Sequence, residues 1–402
     1  MTQCPYHDLG PLPEFFAPGD PDTDDTDDTD DTDDTDDVRR IVTPTGDKMW
    51  LVRDYALGRL VLADKRFSRA AAVLPGAPTF NDAQPVPESM MSRDGKEHAR
   101  LRKTVTGHFT ARKMVAMAPD IERLTDRYLD RLEAAGPGAD LMAGLADPLP
   151  LDVLCQLLGV PLEDGAKFRD WVEVLFDLSA SSPQEKGRKR LELSAYMADL
   201  LAEKRSAPRD DLLTSLIQAQ DRGELTPGEL ITLGLTLLMA GYETTVGQIA
   251  TSAHVLLSAP GAYRELVEHP DRVDAAVEEL MRVSPTTPLS FSRVAVEPVQ
   301  VGSALVQAGD ALIVSLLNGN RDGKVYPEPE QLAPEGRENV HLTFGHGLHR
   351  CLGAPLARLQ LQVVFGRLVR RFPHLRFADV PEPAVWKDGM GTRGLSRLLV
   401  DW

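Results

Sequence analysis

The segment Phe344-Gly345-His346-Gly347-Leu348-His349-Arg350-Cys351-Leu352-Gly353 constrains this chain more than any other, and it runs directly into Ala354-Pro355-Leu356-Ala357-Arg358. Three glycines around one cysteine imply a backbone bent closely around something flat or bulky, because only glycine tolerates such conformations and approaches. The proline fits the first turn of a helix. Cys351 then sits just before a helix N-terminus, where free N–H groups and the positive end of the dipole favour a thiolate. Three readings follow from the loop alone. Cys351 is a buried, unreactive thiol; or His341, His346, His349 and Cys351 bind zinc, although ligands this crowded have difficulty reaching a tetrahedron; or a single thiolate ligates haem iron.

The rest of the chain must supply a body around that loop. At 402 residues, with 42% hydrophobic and 26% charged composition, it is long enough for an extensive core. The net charge of -17 would repel nucleic acid and anionic membranes, but it is unevenly spread. Twelve aspartates lie between Asp20 and Asp37, where Thr-Asp-Asp repeats five times from Thr23; without that tract the balance falls to -5. A like-charged run with no apolar residue cannot offset its ordering entropy, so residues 20–37 are expected to be a solvated, disordered linker after a Pro-rich segment, 1–19. Three cysteines, Cys4, Cys155 and Cys351, form no paired framework, and the N-terminus lacks a basic start and an apolar stretch. A reducing cytoplasm fits these features. The most apolar window, Leu230 to Gly241, is short for a membrane span and is followed by Glu243, so a buried helix is expected.

Val38 to Val42 and Met49 to Val52 flank a Pro44-Thr45-Gly46-Asp47 turn and predict a β-hairpin. Helical spacing of apolar residues follows over 121–132, 151–158, 168–178, 191–201, 230–257, 273–283 and 356–372. Short β pieces are predicted at 294–301, 311–316 and 395–400. These elements describe one mainly α domain, 38–402, with small β-sheets.

The cysteine segment resembles the haem loop of cytochrome P450 enzymes, matching the pattern F-G-x-G-x-H-x-C-x-G-x-x-L-A-R at every fixed position from Phe344 to Arg358. The resemblance implies that Cys351 is the axial ligand of haem iron, with Phe344, Gly345, His349 and Gly353 around the cofactor. It also implies the cytochrome P450 fold, with haem b between an oxygen-activation helix and the cysteine-loop helix. Three further segments fit the same family. Ala240-Gly241-Tyr242-Glu243-Thr244-Thr245 resembles its A-G-x-[DE]-T-T motif, in which Gly241 lets a flat cofactor or O2 approach the backbone while Glu243 and Thr244 organise protons. Glu279 and Arg282 fit its E-x-x-R ion pair, with Arg337 as the third member. His98 and Arg102, four apart on one helical face, resemble the pair that holds a haem propionate, and Arg293 and His341 match the other propionate contacts. All four are expected as cations around a shared anion. The chain departs from the family at its front, where bacterial members usually place a short helix instead of an acidic tract.

The resemblance implies a monooxygenase using O2, with electrons ultimately from NAD(P)H. No reductase domain follows Trp402, so a ferredoxin and ferredoxin reductase are the expected partners, docking on a basic patch of Arg102, Lys103, Arg112, Arg350 and Arg358. Met90, Met91, Leu289, Phe291 and Met390 are the candidate pocket residues. Their apolar character points to a mostly hydrophobic small molecule, such as a secondary-metabolite intermediate, either hydroxylated or oxidatively coupled. A cytoplasmic monomer that binds neither nucleic acid nor membrane is expected. The alternatives are a haem-based sensor or binding protein, which has no need of Glu243 and Thr244, and a zinc hydrolase built on the His/Cys loop.

Overall fold

The fold is described from a computed structural model over residues 37–80, 86–177, 181–333, 335–337 and 340–402. The expectations for the Pro-rich start and, apart from Asp37, for the acidic tract lie outside these residues. Asp37 itself pairs with Lys324 at 2.8 Å, and its carbonyl accepts from Arg53 N.

Twelve α-helices are present among the described residues: α1 Tyr55–Ala63, α2 Gly95–Thr106, α3 Ala111–Ala135, α4 Pro148–Leu158, α5 Gly165–Phe176, α6 Pro183–Ser206, α7 Leu212–Asp221, α8 Pro227–Ser258, α9 Ala262–Glu268, α10 Val273–Val283, α11 Leu316–Gly319 and α12 Ala354–Arg371. The strands are β1 Val38–Val42, β2 Lys48–Val52, β3 Phe67–Ser68, β4 Ala139–Asp140, β5 Arg293–Ala295, β6 Val299–Val301, β7 Ala304–Val306, β8 Ala311–Val314, β9 Arg376–Phe377, β10 Ala384–Trp386 and β11 Leu395–Asp401.

The longest helix, α8, begins as its sequence dictates. Thr226 and Glu229 form a reciprocal capping box around Pro227, which removes a donor that would have had no partner. Its apolar composition extends nearly all round, as a helix in the middle of a core requires, and it packs against α4, α6, α7 and α10. The large core cluster is helical and joins α3, α4, α6, α8, α10 and α12. Leu361, Val364, Phe365 and Leu368 recur at helical spacing on α12 and are buried in it.

The predicted hairpin forms as β1 and β2, closed by Thr43 N–H donating to Asp47 O and by Gly46 at a φ of 85°. It is the edge of a five-stranded sheet ordered β1-β2-β8-β5-β3, in which β2 and β8 run parallel. β10, β11 and β4 form a second sheet, with β9 also on β11, and β6 and β7 pair alone. The β piece predicted at 294–301 is therefore not one strand. Glu297 and Pro298 break it, because proline cannot donate to a ladder, and its halves enter different sheets. The helix predicted over 168–178 ends at Phe176, with Leu178 outside the described residues.

Candidate functional site: the cysteine loop and the helix opposite

A glycine-bent loop with a single short helical turn, Gly347–His349, holds Cys351 ahead of α12. Gly345 and Gly347 adopt φ of 67° and 74°, and a Cβ on Gly347 would lie 2.6 Å from the Leu62 carbonyl oxygen, so no other residue lets this loop seat on α1. Cys351 N–H donates to Phe344 O at 2.8 Å, which folds the loop back on itself. Burial among protein atoms pushes the Cys351 thiol up, while the amides of Gly353 and Ala354 and the Arg102 and Arg350 guanidiniums act in the opposite direction. The side chain is nevertheless exposed. Cys155, by contrast, is sealed in α4, and burial pushes its thiol up to about 12 with no amide opposing it. Phe344 lies beside the loop with the Arg358 guanidinium 4.5 Å from its ring centre.

On α8, Ala240 is exposed although Leu238 and Tyr242 on either side are buried. The neighbouring glycine has a packing role. A Cβ on Gly241 would meet Leu154 at 2.8 Å, so this glycine permits close packing of α8 on α4. Thr244 Oγ1 donates to Ala240 O at 2.7 Å, and Thr245 Oγ1 to Gly241 O at 2.8 Å. Bonds of this kind compete with the helix ladder and bend it locally. Glu243 is buried, and its carboxylate accepts from Lys387 Nζ at 2.8 Å. Lys387 follows β10 and keeps a quarter of its side chain exposed, so it connects the buried acid to solvent. No local pattern in the sequence announces this partner. The tip that follows it docks on α5, with Met390 bridged to Asp177 and Gly391 N–H donating to Phe176 O at 3.0 Å.

The expected cations divide. His98 is buried, its ring 4.3 Å from that of His349, and Arg102 donates to Arg350 O at 2.8 Å. Burial first, then His349 and Arg102, push His98 down to about 4, while Asp94 acts in the opposite direction. Arg293 is buried and donates to Phe291 O at 3.4 Å, with burial pushing it down to about 10. His341 is buried and has partners within the chain. Its Nδ1 accepts from Thr343 N–H, and its Nε2 lies 3.2 Å from Glu278, which also takes both Nε and Nη2 of Arg358. Arg358 is thereby removed from the expected basic patch, while Lys103, Arg112 and Arg350 stay exposed. Glu279 accepts from Arg282 at 2.7 and 2.8 Å and from Arg337 Nε at 3.0 Å.

Among the expected pocket residues, Met90 is buried, Leu289 packs against the sheet core, and Phe291 is 60% exposed. Among the described residues no three His, Cys, Asp or Glu side chains converge, so the zinc reading finds no ligand set. A flat, iron-bearing, dianionic group does fit what is present: an exposed thiol ahead of a helix N-terminus, an uncovered alanine on α8, and buried guanidinium with no paired acid among the described residues.

A family model described as Cytochrome P450 matches residues 42–390. Among curated relatives, nocardicin C N-oxygenase of Nocardia uniformis subsp. tsuyamanensis is 41% identical over 365 residues, 90% of this chain and 92% of that protein. Mycinamicin IV hydroxylase/epoxidase of Micromonospora griseorubida is 37% identical, covering 91% and 92%. Among solved structures, the putative thioether synthase SgvP, involved in the tailoring step of griseoviridin, superposes with a TM-score of 0.88 at 38% identity, covering 92% and 94%.

Proposed function

The chain belongs to the cytochrome P450 family and is a cytochrome P450 monooxygenase with haem b, O2 as co-substrate and electrons drawn from NAD(P)H through redox partner proteins; on that premise we propose how its own residues divide the work. Cys351 would hold the haem iron through its thiolate, and the observation that carries the reading is its exposed side chain with the Gly353 and Ala354 amides and the Arg102 guanidinium favouring the charged sulfur. Haem supplies the reduction of O2 and the oxidising power. Phe344 covers the sulfur side, and Gly345 and Gly353 allow the loop to lie flat. Arg102, Arg293, His349 and His98 would hold the carboxylates of the cofactor, with His341 braced by Glu278.

On the opposite side Glu243 and Thr244 handle protons. A proton entering at Lys387 would reach the Glu243 carboxylate across 2.8 Å, and the Thr244 hydroxyl, which donates to the Ala240 carbonyl, would be the neighbouring group able to hold it on this side of the site. Glu279, Arg282 and Arg337 are structural. Lys103, Arg112 and Arg350 form the docking face for an acidic ferredoxin supplied by a ferredoxin reductase. The substrate is a mostly apolar small molecule, a secondary-metabolite intermediate, held by Met90, Met91, Leu289, Phe291 and Met390. Relatives named as an N-oxygenase, a hydroxylase/epoxidase and a putative thioether synthase support tailoring chemistry of this breadth. A cytoplasmic monomer, with 38–402 as the catalytic domain, completes the proposal.

In a system reconstituted with ferredoxin, reductase and a substrate found by spin-state titration against natural products, Thr244→Ala is expected to consume NAD(P)H while forming several-fold less product. Full coupling in that variant contradicts the role given to Thr244.

A further inference from the structure

Arg69 follows β3 and lies outside every motif that the sequence offers. It is 7% exposed, and its neighbour Arg293 is 4% exposed. Two buried guanidiniums side by side repel each other and lose hydration, and both are pushed down to about 10, mainly by burial. Among the described residues neither has an acid within ion-pair distance. Arg69 donates from Nε to Met91 O at 3.1 Å and from Nη1 to Ser292 O, and Arg293 donates only to Phe291 O.

Asp94 is the acid that both of them sense, yet it has nothing left to give. Its Oδ2 accepts from Ser68 Oγ at 2.6 Å and Ala70 N at 2.9 Å, and its Oδ1 accepts from Arg69 N and faces His349 Nε2, both at 3.3 Å. With two partners on each oxygen the carboxylate is fully used. The two guanidiniums therefore retain several N–H donors in a fixed fork geometry. The carbonyls that orient them come from Met91, Phe291 and Ser292, beside the expected pocket. The Phe291 ring lies 5.0 Å from the Arg69 guanidinium carbon.

We propose that Arg69, which no family motif marks, joins Arg293 in binding a carboxylate. The carboxylate is either a haem propionate or an acid group on the substrate. The site rests on the cofactor placement proposed above.

The test compares Arg69→Lys, which keeps the charge, with Arg69→Gln, which keeps donors for the Met91 and Ser292 carbonyls but loses the charge. Each holoenzyme is first required to give the thiolate spectrum of its reduced CO complex, so a failure of the Cys351 assignment shows itself separately. Haem transfer to excess apomyoglobin then reads the propionate arm. Binding of ω-imidazolyl alkanoic acids of increasing length, against their methyl esters, reads the substrate arm.

In one arm Arg69→Gln is expected to lose about tenfold, as faster haem transfer or as a lost preference for acid over ester, while Arg69→Lys keeps most of the wild-type value. The arm that moves identifies the source of the carboxylate. If the two variants behave alike, both as wild type or both equally impaired, Arg69 only braces the loop and the proposal is overturned.

Discussion

Arg282 and Arg293 are both buried arginines, and their surroundings differ in one respect that separates scaffold from site. Arg282, 1% exposed, finds everything it needs inside the chain: both oxygens of Glu279, the carbonyls of Asn320 and Gln331, and the face of Tyr326. Arg293 and its neighbour Arg69 have carbonyl partners and, among the described residues, no paired acid. A buried charge that is fully paired within the protein costs little further, whereas one without an anion is costly until something supplies it. The first region is complete as folded. The second is complete only with a ligand.

The largest effect comes from breaking the completed region. Glu279→Gln leaves Arg282 and Arg337 without their shared carboxylate, which costs about 3–5 kcal/mol for a buried pair. Loss of soluble folded protein and a collapse of the melting transition are expected; a variant that melts like wild type would show that the cluster is incidental. A smaller and different effect is expected at the other region. Arg293→Gln should keep the fold, as seen in an unchanged far-ultraviolet circular dichroism spectrum, and release haem on the order of tenfold faster. Unfolding of this variant would erase the distinction between the two regions.

Glu278 lies between these cases, a partly exposed carboxylate whose partners, His341 and Arg358, belong to the loop and to α12. Burial raises it, but the bonds from His341 and Arg358 outweigh burial and hold it down to about 2. In the unfolded chain an ordinary glutamate takes up its proton near 4.5, so between about 4.5 and 2 the unfolded state binds more protons. The stability that Glu278 contributes is fully present above that window and is lost as pH falls through it. Melting temperature measured across the window should fall less steeply for Glu278→Gln than for wild type; parallel curves would contradict the assignment.

The parts of this protein written as local pattern were legible in its sequence. Apolar spacing marked α4, α8, α10 and α12, the Pro-Thr-Gly-Asp turn marked the first hairpin, and the glycines around Cys351 marked a loop that only glycine could form. Strands of two residues such as β3, β4 and β9 carry no alternation to detect, since their pairing depends on partners far along the chain. The same limit hid Lys387, Asp94, Glu278 and Arg69. Each meets its partner across segments distant in sequence, and neither period nor motif records such a meeting. Gly241 shows the converse: its motif was plain, but its space is filled by Leu154 on α4.

The central claim is that Cys351, with the fold intact, makes this chain a haem-thiolate enzyme. The reduced wild-type protein under CO is expected to show the strongly red-shifted Soret band of a thiolate ligand, and Cys351→His is expected to bind haem without that band. A Cys351→His protein that keeps the red-shifted band, or a wild-type protein that never shows it, would contradict the account.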